Sequence, residues 1–272
     1  MYKNQNEVFK LEVIGLIPAA GKATRLSPLP CSKELLPIGF GTNTEDRNLI
    51  PKVACHYLLE RMRLAGINKA YIVIRQGKWD IPTYFGDGSI LDMRLAYLMM
   101  GLPFGVPYTL KQAYPFVRDA IIALGFPDIV FEVDDAFDRL LAHLAAREID
   151  VVMGLFPCKR SRKADMVALA DDGHVERIVI KPRETNLRYS WAVAVWTPVF
   201  SRFMYEYLAA IEEKTARQTE LFVGDVFNAA IQEGLKVEGV LVSDKPFLDI
   251  GTGDELLEAV KRGVAQIEKS QS

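Results

Sequence analysis

Apolar residues along this chain gather in short unbroken runs, separated by segments in which they recur every three or four positions. Glu12 to Pro18 (EVIGLIP), Lys69 to Arg75 (KAYIVIR), Asp128 to Phe131 and Asp150 to Phe156 (DVVMGLF) are runs of the first kind, the profile of strands buried on both faces of a parallel sheet. Val53, Tyr57, Leu58, Met62 and Ala65 fall at helical spacing, as do Ala136, Phe137, Leu140, Leu141 and Leu144. Strands alternating with helices predict a three-layer α/β fold with a mostly parallel central sheet. From about residue 158 the pattern changes. Met166 to Ala170, the turn DDG at 171 to 173, and Val175 to Ile180 read as a hairpin, so a smaller mixed lobe is expected there, followed by a closing helix over Glu255 to Ile267. No internal repeat or low-complexity linker divides the chain, which predicts a single domain in two parts, about 10–157 and about 158–250, with 251–272 as the C-terminal helix.

Composition narrows the chemistry. Half of the 272 residues are hydrophobic and a quarter are charged, and 33 basic against 35 acidic side chains leave a formal charge of -2. That balance gives no whole-protein attraction to nucleic acid or an anionic membrane, so charge that binds phosphate has to be local. Cys31, Cys55 and Cys158 are far apart and odd in number, which argues against a disulfide framework and a structural zinc site and fits a reducing cytoplasm. The N-terminal MYKNQNEVFK is polar, and no run approaches the roughly 18 apolar residues of a membrane span. Neither a signal nor an anchor is expected.

The stretch IPAAGKATRLSPLPCSKELLP, residues 17–37, carries the most information. It follows a strand, and the small residues Ala19, Ala20, Gly21 and Ala23, with Lys22 and Thr24 among them, let successive backbone N–H groups close around an anion. Arg25 and Lys33 add fixed positive charge suited to a triphosphate. Phosphoryl-type transfer asks for little beyond positioning, cations and a metal. The plainer reading is a strand-to-helix turn with two solvated cations. It is not a Walker loop, because G-x-x-x-x-G-K-[ST] is missing.

This loop resembles the signature of the sugar-phosphate nucleotidyltransferases, which runs G-x-G-T-R-x-x-P and then P-K-x-x-x-P, with P-x-A-G-x-G-T-R in the uridylyltransferase branch. Ala23 stands for the second glycine, and Ser32 precedes Lys33. The likeness continues through YFGDGS at 84–89, Gln112 in TLKQAYPFVRDA, GFPDIVFE around Asp128, Lys181 in IVIKP, and FLDIGTGDELLEAV around Asp249. It implies a Rossmann-like fold whose first part binds a nucleotide and whose second binds a sugar. It also implies that Gln112 meets the base, that Asp128 and Asp249 hold Mg2+, and that Lys181 contacts the sugar phosphate. Each aspartate also has a plainer reading, Asp128 as a turn residue after Pro127 and Asp249 as the cap of the last helix. Asp134 and Asp135 are a competing metal pair that suits helix capping better, and Lys159 to Lys163 (KRSRK) reads as a charged loop.

Departures from the family pattern concentrate on the sugar side. Ile180 replaces the acidic residue before the lysine-proline pair, Asp165 and Ala192 replace glycines, and Val117 replaces the glycine five positions after the base-binding glutamine. The expected activity is transfer of a nucleoside monophosphate, from dTTP or UTP, to a sugar 1-phosphate, with glucose 1-phosphate a poor or non-exclusive acceptor. Two alternatives stand beside it: a non-catalytic sugar-nucleotide sensor, and a cytidylyltransferase acting on another phosphate. The expected partners are the triphosphate and the sugar 1-phosphate, without nucleic acid or membrane; base, sugar and homo-oligomeric state stay open.

Overall fold

A computed structural model of the chain describes residues 11–42, 48–101, 105–214 and 220–271. The polar N-terminal stretch, residues 1–10, lies outside the described residues. In chain order the first half contains β1 (Val13–Pro18), β2 (Pro37–Thr42), β3 (Leu49–Val53), α1 (Ala54–Leu64), β4 (Lys69–Arg75), α2 (Asp80–Phe85), β5 (Arg94–Met100), α3 (Val106–Lys111), α4 (Tyr114–Val117), β6 (Ile121–Gly125) and β7 (Ile129–Val130). The second half contains α5 (Ala136–Ala146), β8 (Val151–Pro157), β9 (Met166–Leu169), β10 (Val175–Val179), β11 (Tyr189–Trp196), α6 (Pro198–Lys214), α7 (Val223–Gln232), β12 (Val237–Leu241), β13 (Leu248–Asp249) and α8 (Gly253–Gln271).

The periodicity translates directly into layers. β5, β4, β1 and β6 lie side by side in parallel, and their apolar runs are covered on both faces. α1 and α5 bury Leu58, Leu59, Met62, Phe137, Leu140 and Leu141 on one side. α6 and α7 bury Phe200, Met204, Leu208, Val226 and Phe227 on the other. β11 then pairs antiparallel with both β6 and β8, and β12 adds to β8 in parallel. The predicted hairpin forms as β9 and β10, and it joins β11 at one edge of this same nine-stranded mixed sheet.

One predicted strand is misplaced. Asp128 to Phe131 contributes only the two residues of β7, which pair antiparallel with β13 outside the main sheet. The central strand is the preceding run, Ile121 to Gly125, buried along its whole length. Pro127 has no N–H to donate and ends that ladder, so the chain leaves the sheet before Asp128.

Packing behind β6 is close. A Cβ built on Gly125 would lie 2.3 Å from Leu58 Cδ1, in a layer with no room to yield. Gly125→Ala should therefore lower stability by about 1–3 kcal/mol, read as a fall in the urea midpoint at unchanged slope. An unaltered midpoint would show that α1 moves freely over the sheet.

Candidate functional site

The order of the parallel strands decides where a ligand sits. From β1 the chain builds outward through β4 and β5, then returns to place β6 on the other side of β1. Loops at the carboxyl ends of β1 and β6 therefore diverge and leave a crevice, the usual binding place in such sheets. A cavity of about 450 Å³ opens there, lined by Gly21 to Arg25, Lys33, Asp128 and Asp249 among others. Ala19 is buried against the sheet and donates its N–H to the Val73 carbonyl at 2.8 Å, while Ala20 faces an adjoining cavity that shares Gly21, Lys22 and Lys33. Ala23 has φ 53°, a left-handed conformation that costs a residue with a Cβ roughly 1–2 kcal/mol. The loop thus keeps the backbone path of a glycine with an alanine in it.

Lys33 opens a one-turn 3-10 helix, Lys33–Leu35, and its ammonium pairs with Asp128. Burial alone would lower the Lys33 pKa, but the adjacent Asp128 more than reverses this and holds it above the ordinary value. The turn itself is gripped from α2 and its approach. Lys78 Nζ donates to both Glu34 oxygens at 2.6 and 2.7 Å, with the two side chains only 4% and 2% exposed. Asp80 accepts from Ser32 N–H at 2.6 Å and Ser32 Oγ at 2.7 Å.

The short β7–β13 ladder brings the two predicted ligands together. Asp249 lies opposite Ile129, and Ile250 N–H donates to the Asp128 carbonyl at 2.9 Å. Asp249 is pushed up to about 6, first by burial and then by the Asp128 carboxylate, with Lys33 and Arg25 pulling it back. Arg25 reaches this pair over Gly251, where a Cβ would come within 2.8 Å of its guanidinium. Two half-buried, mutually repelling carboxylates are a donor set suited to one hard divalent cation that keeps waters and phosphate oxygens as its other ligands. Among the described residues no cluster of three or more metal-ligating side chains exists, so these two carboxylates are what the described site offers a cation. Asp249 does not cap α8, which begins at Gly253.

The opposite wall comes from the hairpin edge and the approach to α7. Lys181 has φ 39° and holds its ammonium 4.1 Å from the centroid of the Phe222 ring. Asp165 is pushed up to about 6, chiefly by burial, with Lys181 opposing and Asp225 adding to the rise.

Several expected residues are not brought to the cavity. Gln112 is exposed at the end of α3, and Val117, aligned with the family glycine, is core. The α3 residues that face the loop are at its other end, Gly105 and Val106. Gly105 has φ 120°, and a Cβ on it would meet the Leu221 carbonyl at 2.4 Å, so only glycine fits that approach. Ile180 turns its Cδ1 toward Gly224 rather than the cavity, and Ala192 is fully buried in β11. Ile180, which stands where the family has an acidic residue, thus has no face on the cavity.

The GDGS segment forms the turn that returns α2 to β5. Asp134 pairs with Arg61, and Asp135 stands at the N-cap of α5. Lys163, read as part of a charged loop, instead reaches the cavity, held by Glu255 at 2.6 Å. Of the residues not anticipated, Gly105 had a signal in GVP, a glycine and a proline opening a helix. Ser190, Trp191, Phe222 and the Glu34–Lys78 pair had none, because only the fold makes them neighbours.

The fold and cavity together define an α/β protein with a small-residue loop, two cations and two carboxylates at a sheet switch point. The chain belongs to the nucleotidyl transferase family, whose family model matches residues 14–265. Among curated proteins it is 22% identical over 251 residues to a low-salt glycan biosynthesis nucleotidyltransferase of Haloferax volcanii, covering 90% of this chain and 64% of that protein. It is 27% identical over 248 residues to a glucose-1-phosphate thymidylyltransferase of Streptomyces griseus (89% and 64% covered). A third relative, the Neisseria gonorrhoeae glucose-1-phosphate thymidylyltransferase, is 25% identical over 248 residues (90% and 80%). The chain thus spans just under two thirds of the length of the first two relatives. A Bacillus anthracis protein crystallised with sucrose and provisionally assigned as a glucose-1-phosphate thymidylyltransferase shares the fold, with TM-score 0.78, 18% identity, and 92% and 95% of the two chains covered. No helix among the described residues is long and apolar enough to cross a membrane.

Two predictions follow from the charges. Lys78→Met leaves the Glu34 carboxylate buried without its partner, and should cost about 3–5 kcal/mol in chemical denaturation. The double variant with Glu34→Gln should recover most of that. Loss in the double variant equal to the single would remove the pair from the account.

Asp165 has a folded-state pKa above its unfolded value, so its ionised form destabilises the fold. That penalty is full above about pH 6 and vanishes below about pH 4. Asp165→Asn should therefore gain about 2–3 kcal/mol at pH 7.5, shrinking toward nothing near pH 4. A gain independent of pH would show that Asp165 titrates alike in the folded and unfolded chain.

Proposed function

We propose that this chain transfers a nucleoside monophosphate from a triphosphate, dTTP or UTP, to a sugar 1-phosphate, releasing pyrophosphate. Supporting it most is the convergence of Arg25, Lys33, Asp128, Asp249 and Lys181 on one cavity at the carboxyl ends of β1 and β6. In this reading the part before residue 158 takes the nucleotide and the part after it the acceptor.

The acceptor's phosphate oxygen attacks the α-phosphorus in line, forming the new P–O bond as the bond to the β-phosphate breaks. That oxygen is already ionised at neutral pH, so no side-chain base is needed. Backbone N–H groups of residues 20–24 cradle the triphosphate. Arg25 and Lys33 neutralise charge on the leaving pyrophosphate. Lys181, at the acceptor end of the cavity, holds the attacking phosphate in place. Magnesium held by Asp128 and Asp249 would supply further charge neutralisation when bound. Lys33 already pairs with Asp128, which orients that carboxylate before any cation arrives.

Pyrophosphate release, measured over a matrix of triphosphates and sugar 1-phosphates with magnesium, tests the reading. Silence throughout, with nucleotide-sugar binding retained, would favour the sensor. Arg25→Ala should lower kcat by about two to three orders of magnitude with the fold intact. Asp128→Asn and Asp249→Asn should weaken the magnesium dependence or abolish turnover, and full activity of both in EDTA would defeat the two-carboxylate site.

A further inference from the structure

Of the lysines that line the cavity, Lys33 is held by Asp128 and Lys163 by Glu255. Lys181 is held differently. Its ammonium stands 4.1 Å from the centroid of the Phe222 ring, well inside the roughly 6 Å over which an aromatic face attracts a cation.

The two residues come from separate elements, and both are fixed. Lys181 follows β10 at the sheet edge, and Phe222 is the residue before α7. Asn228 on α7 ties the strand to the helix: its Oδ1 accepts the Ile178 N–H at 2.7 Å, and its Nδ2 donates to the Ile178 carbonyl at 2.8 Å. Gly224 brings the helix closer still, since a Cβ there would lie 2.4 Å from Ile180 Cδ1 and 2.9 Å from Ile178 Cγ2. Phe222 is secured by its own N–H, which donates to Asp225 Oδ2 at 2.9 Å. Lys181 has φ 39°, a conformation uncommon for a residue with a Cβ that persists only where its surroundings enforce it. Asp165 supplies part of that hold by accepting the Lys181 backbone N–H.

We propose that Phe222 is a positioning residue for capture of the acceptor's phosphate: its ring holds the Lys181 ammonium at the acceptor end of the cavity without neutralising it. The inference rests on the reading of Lys181 as the group that meets that phosphate. A carboxylate in the same place would cancel the charge and take up N–H donors, and an arriving phosphate would have to displace it. The ring attracts the cation through its quadrupole, and so leaves the ammonium's donors open to phosphate oxygens. Ordering a long, flexible side chain in advance also removes a cost that would otherwise fall on ligand binding.

The test has a kinetic arm and a spectroscopic arm. In the first, the sugar 1-phosphate turned over fastest in the pyrophosphate-release matrix is titrated against wild type, Phe222→Leu and Phe222→Tyr. Phe222→Leu keeps an apolar side chain but removes the ring face. It should raise KM for the sugar phosphate roughly three- to tenfold, the scale of one cation–π contact, and leave KM for the triphosphate unchanged. Phe222→Tyr, which keeps the ring, should recover most of that loss. A side chain that merely filled space would move both Michaelis constants or neither. In the second arm, protein labelled with 13C-lysine is followed by NMR, with the Lys181 Hε resonances assigned by their absence from Lys181→Met. They should lie upfield through the ring current, return to the position of a solvated lysine in Phe222→Leu, and shift when glucose 1-phosphate is added. Resonances that are not upfield, or that ignore Phe222→Leu, would overturn the contact. An active enzyme whose acceptor KM ignores Phe222→Leu would overturn the positioning role alone. Turnover of no sugar 1-phosphate would sink the reading beneath it, and the response of the Lys181 resonances to glucose 1-phosphate then decides whether the pair holds a phosphate.

Discussion

The parallel pairing of β1 with β6 is the constraint on which the rest depends. Two strands remote in sequence lie side by side with their carboxyl ends level, so the chain after each must leave in a different direction. That divergence creates the crevice, and it sets the glycine- and alanine-rich loop opposite Asp128. The pairing is held by dispersion and burial rather than by charge: Ile14, Leu16, Ile17, Ile122 and Leu124 are all essentially inaccessible, so rigidity of the site comes from the close-packed layers beneath it.

On that frame, a second set of interactions fixes the charged groups. Lys33 sits on a single turn that could not hold a lysine still by itself, since one 3-10 turn is a poor anchor. It is clamped because Glu34 and Ser32 on either side bond to Lys78 and Asp80, which belong to α2 and its approach. Glu255 does the same at the other end, accepting from Lys163, Thr252 Oγ1 and the Gly251 N–H. Buried charge pairs add little net stability, so positioning is the better account of their presence here.

Much of this was legible in the sequence, for identifiable reasons. β4 and β8, α1 and α5, the hairpin and the last helix were read from periodicity, which burial enforces residue by residue. The loop at 17–37 was legible because small residues and two cations after a strand have few other uses, and Asp128 and Asp249 through their family surroundings. What failed was register without local constraint. Gln112 was placed by its family surroundings and lies exposed at the end of α3, whereas Gly105, with φ 120° and the Leu221 carbonyl against it, faces the loop. Ile180 was expected to face the acceptor, but the close approach of Gly224 draws it into the sheet edge. The apolar run at Asp128 was taken for a strand of the sheet, whereas Ile121–Gly125, seven residues earlier, supplies it and carries an equal hydrophobic signal without a polar boundary between them.

The two sides of the cavity are in different states of completion, and this bears on how selectivity arises. On the nucleotide side several buried charges have a partner within the protein: Lys33 with Asp128, Glu34 with Lys78, Asp80 with Ser32. A site satisfied in this way is already rigid before ligand arrives and spends little of the binding energy on ordering itself. On the opposite wall Asp165 Oδ1, Ser190 Oγ and Trp191 Nε1 are buried without a hydrogen-bond partner, so that side is less completely satisfied within the protein. The departures from the family pattern fall on this wall, at Asp165 and behind it at Ile180 and Ala192. In the proposed reading, nucleotidyl transfer and the choice of acceptor fall to separate groups of residues, and the second group can change while the first stays fixed.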